Sequence, residues 1–209
     1  MPLPLIIGGA VVVAAAAGAV GTGLSMRHLK GKSVLIVGPS GSGKTSLVRI
    51  FGDNELVVRP SSKERWVNRA SKLVDLQLKV ASTDTPGGRD GVDAIRERAA
   101  QADLICLVVS AQALHASDGW ENPVRIAKLV GTLAGANTQC GIVLSHADSL
   151  ASEELADVVK SPELLRLLDL TGASIVRPCD LTDRDTWSET TEALLGLLQR
   201  QRRSRKDRS

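Results

Sequence analysis

The sequence predicts a three-layer α/β/α domain with a mostly parallel sheet, preceded by one N-terminal transmembrane helix. Three observations predict it. Short apolar, β-branched runs alternate with longer amphipathic stretches along residues 33–200, the pattern of strands covered on both faces by crossover helices. A glycine-rich turn separates the first such run from the first helical stretch. Residues 3–25 carry no charge, and a helix of roughly 20 apolar residues spans a hydrocarbon core.

The anchor is drawn over residues 1–26. A basic linker follows over 27–32, with Arg27, His28, Lys30 and Lys32. Nothing basic precedes the apolar stretch except the chain terminus. The positive-inside rule therefore places the rest of the chain in the cytoplasm, as a single-pass membrane protein. A cleaved secretory signal would carry its positive charge before the apolar stretch. Ala10, Ala14 and Gly18 fall four apart, as do Ala15, Ala19 and Gly23. Small residues at that spacing permit close helix pairing in lipid, so self-association is a further expectation. A buried or interfacial helix is the alternative for so Gly- and Ala-rich a segment.

Residues 33–38, SVLIVG, read as a buried strand. A helix is expected from Lys44 to about Phe51, ended by Gly52-Asp53-Asn54. Residues 55–72 are polar and hard to assign, and where one strand ends and another starts between 66 and 83 is left open by the pattern. Leu76, Leu78 and Val80 alternate within a strand expected over Leu73 to Thr83. Val92, Ile95, Ala99 and Ala102 trace a helical face. Strands are expected at 103–111, 140–145 and 174–178, and helices at 121–135, 152–169 and 185–203. The last helix carries Trp187, Leu194, Leu195 and Leu198 on one side. Residues 201–209 form a basic tail, either solvated or in contact with an anionic surface such as a cytoplasmic leaflet.

Composition excludes some functions. The net charge of +3 is too mild to argue for nucleic acid. With no Tyr and one Phe, Phe51, there is no aromatic platform for stacking bases, so no nucleic-acid partner is expected. Cys106, Cys140 and Cys179 are far apart, each in or beside an apolar run. They read as buried free thiols in a reducing cytosol.

Gly38-Pro39-Ser40-Gly41-Ser42-Gly43-Lys44-Thr45 matches G-x-x-x-x-G-K-[ST] and is followed by Ser46. It sits after a strand and opens a helix, the context this motif requires. The glycines let backbone N–H groups curl around phosphate oxygens, where a side chain would clash or force φ. The helix N-terminus adds a favourable dipole. Lys44 can place its ammonium between the β- and γ-phosphates, and Thr45 can offer a hydroxyl to Mg²⁺. The motif specifies a phosphate ligand and leaves the base and the reaction open.

Two further motifs make the chain resemble the translation-factor-related branch of P-loop GTPases over about residues 32–200. Asp84-Thr85-Pro86-Gly87 matches that family's Asp-x-x-Gly. The resemblance implies that Asp84 holds Mg²⁺ through water and that the Gly87 N–H senses the γ-phosphate. A plain Pro-Gly turn is the alternative. Ser145-His146-Ala147-Asp148 stands where the family has Asn-Lys-x-Asp. A carboxylate at Asp148 can accept from guanine N1–H and N2–H₂ together, a donor pair that adenine lacks. A helix cap at Asp148 or Ser149 is the alternative. Ser145 and His146 depart from Asn and Lys, although Ser keeps a hydroxyl and the His ring could cover a base face. Arg177-Pro178-Cys179-Asp180 occupies the place of the family loop that lends a backbone N–H to guanine O6, which makes Cys179 and Asp180 candidates.

The resemblance thus implies a Mg²⁺-dependent GTP/GDP switch that moves segments around 55–66 and 84–92, together with an effector or activating protein of unknown identity. The anchored layout is similar to that of signal recognition particle receptor beta subunits. Two departures bear on hydrolysis. Gly88 follows Gly87, where Ras-like enzymes carry a water-orienting Gln, so intrinsic hydrolysis should be slow and the catalytic residue is unassigned. From 47 to 82 there is no Thr to ligate the metal. Ser61 and Ser62 have a suitable spacing, so Ser62 joins Thr45 and Asp84 as a metal candidate. Lys63 to Trp66 suggest an effector surface, with Trp66 in the core as the alternative. A nucleotide-locked interaction module and an ATP-using P-loop enzyme are the rival functions.

Overall fold

A computed structural model describes residues 31–53, 69–70, 77–82, 89–116 and 119–206. The chain alternates strand and helix as expected. The strands are β1 (Ser33–Gly38), β2 (Arg69–Ala70), β3 (Gln77–Ser82), β4 (Leu104–Ser110), β5 (Gln139–Ser145) and β6 (Val176–Cys179). The helices are α1 (Lys44–Asp53), α2 (Arg89–Ala99), α3 (Ala111–His115), α4 (Glu121–Leu133), α5 (Ser152–Lys160), α6 (Pro162–Thr171) and α7 (Arg184–Lys206).

The sheet order is β2-β3-β1-β4-β5-β6. Five strands run parallel, and β2 pairs antiparallel to β3 at one edge. After β1 the chain crosses to one side through α1. After β3 it returns past β1 to β4. The loop after β1 therefore lies where the strand order reverses, at the carboxyl ends of the strands, the usual ligand position in such sheets.

The alternation of side chains along each strand builds two cores. Val34, Ile36, Leu104, Cys106, Val108 and Val143 face α1 and α7, meeting Leu47, Ile50, Phe51, Trp187, Leu194 and Leu198. Leu35, Val37, Ile105, Leu107, Ile142 and Leu144 face the other helices, meeting Ile95, Ile126, Val130, Leu164 and Leu167. This is the three-layer arrangement the sequence predicts. Trp187 and the leucines expected beside it are buried in the α7 face.

Three elements differ from expectation. The single helix expected over 152–169 is two, α5 and α6. Pro162 opens α6, and a proline disfavours helical backbone at the residue before it. Ser161 accordingly takes ψ 143. Its hydroxyl donates to Val158 O at 2.8 Å and accepts from Leu164 N at 3.2 Å, closing one helix and capping the next. The five-residue α3 was not expected, being too short to show a period. α7 runs to Lys206, past the expected end at 203.

No helix among the described residues is long and apolar enough to cross a membrane. The segment 3–25, Ser61, Ser62, Trp66, Asp84, Gly87 and Gly88 lie outside the described residues.

Candidate functional site

The carboxyl ends of β1, β4, β5 and β6 form one edge, where Ser110, Ser145 and Cys179 are paired in register. The Gly38–Ser46 segment lies across it. Gly38 ends β1, residues 39–43 form the turn, and Lys44, Thr45 and Ser46 open α1. The first helical bond runs from Leu47 N to Gly43 O at 3.0 Å. The N–H groups of the preceding turn have no carbonyl within the helix to meet. Gly41 and Gly43 have φ of +69° and +84°, a region that L side chains rarely adopt. Gly43 is further constrained by space, since a Cβ there would lie 2.5 Å from Leu181 Cδ1.

Two polar side chains of the turn and its helix are buried. Lys44 is among the largest fully buried side chains, and its Nζ donates to Pro39 O, across the mouth of the turn. Ser42 is buried, and among the described residues its hydroxyl has no hydrogen-bond partner. Burying such a group unmet costs about 1–3 kcal/mol, which a phosphate oxygen would recover. The donor set therefore fits a phosphate ester. Of the proposed metal ligands only Thr45 is described, half-buried in the first turn of α1.

Ser145 joins this turn to the rest of the edge. It is fully buried at the end of β5. Its hydroxyl lies 2.8 Å from Ser42 O, 3.2 Å from Val109 O and 3.1 Å from His146 Nδ1. A hydroxyl has one proton. Given to the shortest acceptor, Ser42 O, it leaves the oxygen free to accept from His146 Nδ1–H. A hydrogen-bonded chain then runs from His146 through Ser145 to the phosphate turn. His146 has φ 54°, the one positive-φ non-glycine among the described residues, a conformation costing on the order of 1–2 kcal/mol. The left-handed turn lets the chain leave β5 sharply and enter the 3-10 turn Ala147–Ser149.

Asp148 lies exposed in that turn, with no hydrogen bond or ion pair among the described residues. The residue preceding α5 is Ala151, whose N–H donates to Glu154 Oε2 at 2.8 Å. The cap alternative for Asp148 and Ser149 therefore finds no support. Cys179 lies beside Ser145 in register. Asp180 accepts from Thr182 N at 2.7 Å and Thr182 Oγ1 at 2.6 Å. Partial burial pushes the Asp180 carboxyl up, but the Thr182 hydrogen bonds and nearby His146 outweigh it and leave it below the ordinary range. Both bonds go to Oδ1, and the Asp180 backbone carbonyl accepts from Thr186 Oγ1 at 2.8 Å.

Leu181, which seals the underside of Gly43, and the Ser145 tie to Ser42 carried no signal in the sequence. His115 ends α3, exposed, 3.6 Å from Glu154.

All three cysteines are buried and free. Burial pushes the Cys140 thiol up to about 11; it does the same for Cys179, partly offset by a hydrogen bond with Thr190, and raises Cys106 further. Folded protein should therefore resist a thiol-reactive dye at pH 8 and release three thiols only on denaturation. Raised folded values also mean stability that is complete below the unfolded thiol pKa of about 8.5 and declines as pH climbs from there toward 11. Rapid native-state labelling of any of the three would contradict the buried assignment.

A strand, a glycine-rich turn and a helix at the reversal of a parallel sheet define the P-loop nucleotide-binding fold. Within that class, the chain has the fold of the small GTPases. It is similar to an ADP-ribosylation-factor-like GTP-binding protein, the small COPII coat GTPase SAR1 of Encephalitozoon cuniculi in complex with GDP. That match has 14% identity and a TM-score of 0.57 over 87% of this chain and 88% of that one. A probable GTP-binding protein engB matches with 14% identity and a TM-score of 0.61, over 80% of this chain and 99% of that one. The elongation factor SelB of Methanococcus maripaludis, solved with a GTP analogue, matches with 19% identity and a TM-score of 0.58, over 82% of this chain and 34% of that one. No protein-family profile and no curated protein matches the chain in sequence.

Proposed function

We propose that this chain is a membrane-anchored GTP/GDP switch with slow intrinsic hydrolysis. The observation that carries it is the joining of two recognition elements at one edge. The Ser42 carbonyl of the phosphate turn accepts from Ser145, and three residues later Asp148 presents a carboxylate without a protein partner among the described residues. Phosphate recognition and base recognition are thus held at a common spacing by one buried hydroxyl.

In this proposal the N–H groups of Gly41 to Ser46 and the Lys44 ammonium hold the phosphates, with Gly38 and Ser40 shaping the turn. Lys44 would exchange its bond to Pro39 O for phosphate oxygens, and Ser42 would gain its missing partner. Asp148 accepts from the guanine N1–H and N2–H₂. His146 flanks the base, and the Cys179–Asp180 backbone faces guanine O6. Thr45, with Asp84 and Ser62, would hold Mg²⁺, which neutralises charge between the β- and γ-phosphates when bound. The Gly87 N–H would report the γ-phosphate to the 84–92 segment. Residues 3–25 would anchor the chain with this domain on the cytoplasmic side.

A second reading, a nucleotide-locked interaction module, is favoured by Gly88, which has no side chain to orient water. Phosphate release under multiple turnover separates the two. A switch should release phosphate from GTP above a Lys44→Ala control, with membrane extract raising the rate if an activating protein exists. Rates equal to the control under both conditions would leave the locked module. Competition of fluorescent GDP by GTP and GDP but not ATP is expected in either case, whereas equal competition by ATP would support an ATP-using enzyme.

A further inference from the structure

The chain enters the domain and α7 leaves it at the same edge, opposite the candidate nucleotide site. Entry is fixed by the start of β1. Lys32 pairs with Asp103 at 2.6 Å, and Ser33 N donates to Asp103 Oδ2 at 2.9 Å. Asp103 O in turn accepts from Gln139 N at 2.9 Å, so the starts of β1, β4 and β5 are tied together. α7 begins beside the nucleotide edge, where Thr186 Oγ1 donates to Asp180 O at 2.8 Å. It reaches the entry edge by Leu197, since a Cβ on Gly141, near the start of β5, would lie 3.6 Å from Leu197 Cδ1.

The last buried α7 side chain among the described residues is Leu198. The helix continues to Lys206, about 12 Å further at 1.5 Å per residue. Its sequence there is Gln199, Arg200, Gln201, Arg202, Arg203, Ser204, Arg205, Lys206, with no apolar residue and no acid. Such a segment has no face to pack on a core, and its like charges repel one another. A neutralising anionic surface would remove that penalty. The residues joining position 25 to Ser33 reach at most roughly 29 Å when extended, so an anchor over 3–25 would keep this edge close to a bilayer.

We propose that residues 199–206 of α7 are a docking element for anionic phospholipid headgroups, holding the domain with its nucleotide edge turned away from the membrane. The identity of the bilayer rests on the proposed anchor; the charge recognition does not. Lipid is favoured over nucleic acid because the cationic helix leaves on the anchor's edge and the domain has no aromatic platform for bases.

The test uses the full chain carrying Ser204→Cys, labelled with an environment-sensitive dye. It is reconstituted in phosphatidylcholine vesicles, with or without phosphatidylserine at about one part in four. The dye should shift to the blue and be quenched by spin-labelled lipid only with phosphatidylserine. High salt should reverse this, as screening shortens from about 8 Å to about 3 Å. Each basic residue near an anionic surface is worth about fivefold in partition. Changing Arg200, Arg202, Arg203, Arg205 and Lys206 together to Gln should therefore abolish the shift. Identical emission in the two vesicles, or displacement from phosphatidylserine vesicles by single-stranded RNA at lower charge concentration than lipid, would overturn the proposal. Failure of unlabelled protein to sediment with pure phosphatidylcholine would instead count against the anchor. Phosphatidylserine-dependent binding would still be measurable in that case.

Discussion

Lys44→Ala is expected to weaken GDP binding by about a hundred- to a thousandfold, or about 3–4 kcal/mol. The ammonium makes charge-assisted hydrogen bonds, each worth about 1.5–3 kcal/mol when desolvated, and Lys44 is already desolvated, at 2% exposure. Its ammonium donates to the neutral Pro39 carbonyl, and a phosphate would be a stronger partner at no further dehydration. The same burial predicts a small effect on folding. Alanine removes the hydrogen bond to Pro39 O but also the cost of a buried cation, so the denaturation midpoint should move little. Calorimetric titration with GDP, alongside urea unfolding, checks both halves. Retained affinity would mean that the turn does not bind phosphate in this chain.

Gly38→Ala is expected to cost about 3 kcal/mol of stability, near the upper end for overpacking. A Cβ at Gly38 would run into the Val108 carbonyl oxygen of the adjacent strand and lie 2.9 Å from Ser42 Oγ. The obstructing atom is backbone, and β1 and β4 are locked in register from Val34↔Leu104 to Val37↔Leu107. Relief requires parting two central strands. Gly41→Ala is the control. Its Cβ would meet nothing within 4 Å, so only the left-handed φ of +69° opposes it, at about 1–2 kcal/mol. Urea unfolding should rank Gly38→Ala well below Gly41→Ala. Equal stabilities would remove the steric account of the turn's entry.

The central strands were legible in the sequence because each is a β-branched apolar run that must be buried on both faces. SVLIVG and CGIVLS admit few other placements. The phosphate turn was legible because its backbone geometry demands glycine at Gly41 and Gly43 and a cation at Lys44. The α5–α6 division was missed although Ser161-Pro162 is its local cause, because the leucines of α6 continue a helical spacing across the break. The Ser145–Ser42 bond joins residues 103 apart, and Leu181 meets Gly43 from the far end of the chain. Neither leaves a periodic trace, since the fold alone creates those contacts. The left-handed His146 was likewise invisible, because His has no obligate association with positive φ. Asp148 could be singled out, but only the fold showed it to be unengaged by α5.

Base recognition by Asp148 is the claim on which the guanine assignment stands. In the proposed site its carboxylate would offer two acceptors to the guanine N1–H and N2–H₂. Asparagine would set its amide N–H₂ against one of those donors. Xanthine replaces the 2-amino group with a carbonyl, so the asparagine amide would find one donor and one acceptor to match. Calorimetric affinities of wild type and Asp148→Asn for GDP, xanthosine diphosphate and ADP test this directly. Wild type should prefer GDP over xanthosine diphosphate by at least roughly a hundredfold, with the order reversed in the variant. Unchanged GDP affinity in Asp148→Asn, or ADP bound as tightly as GDP by the wild type, would contradict the guanine site.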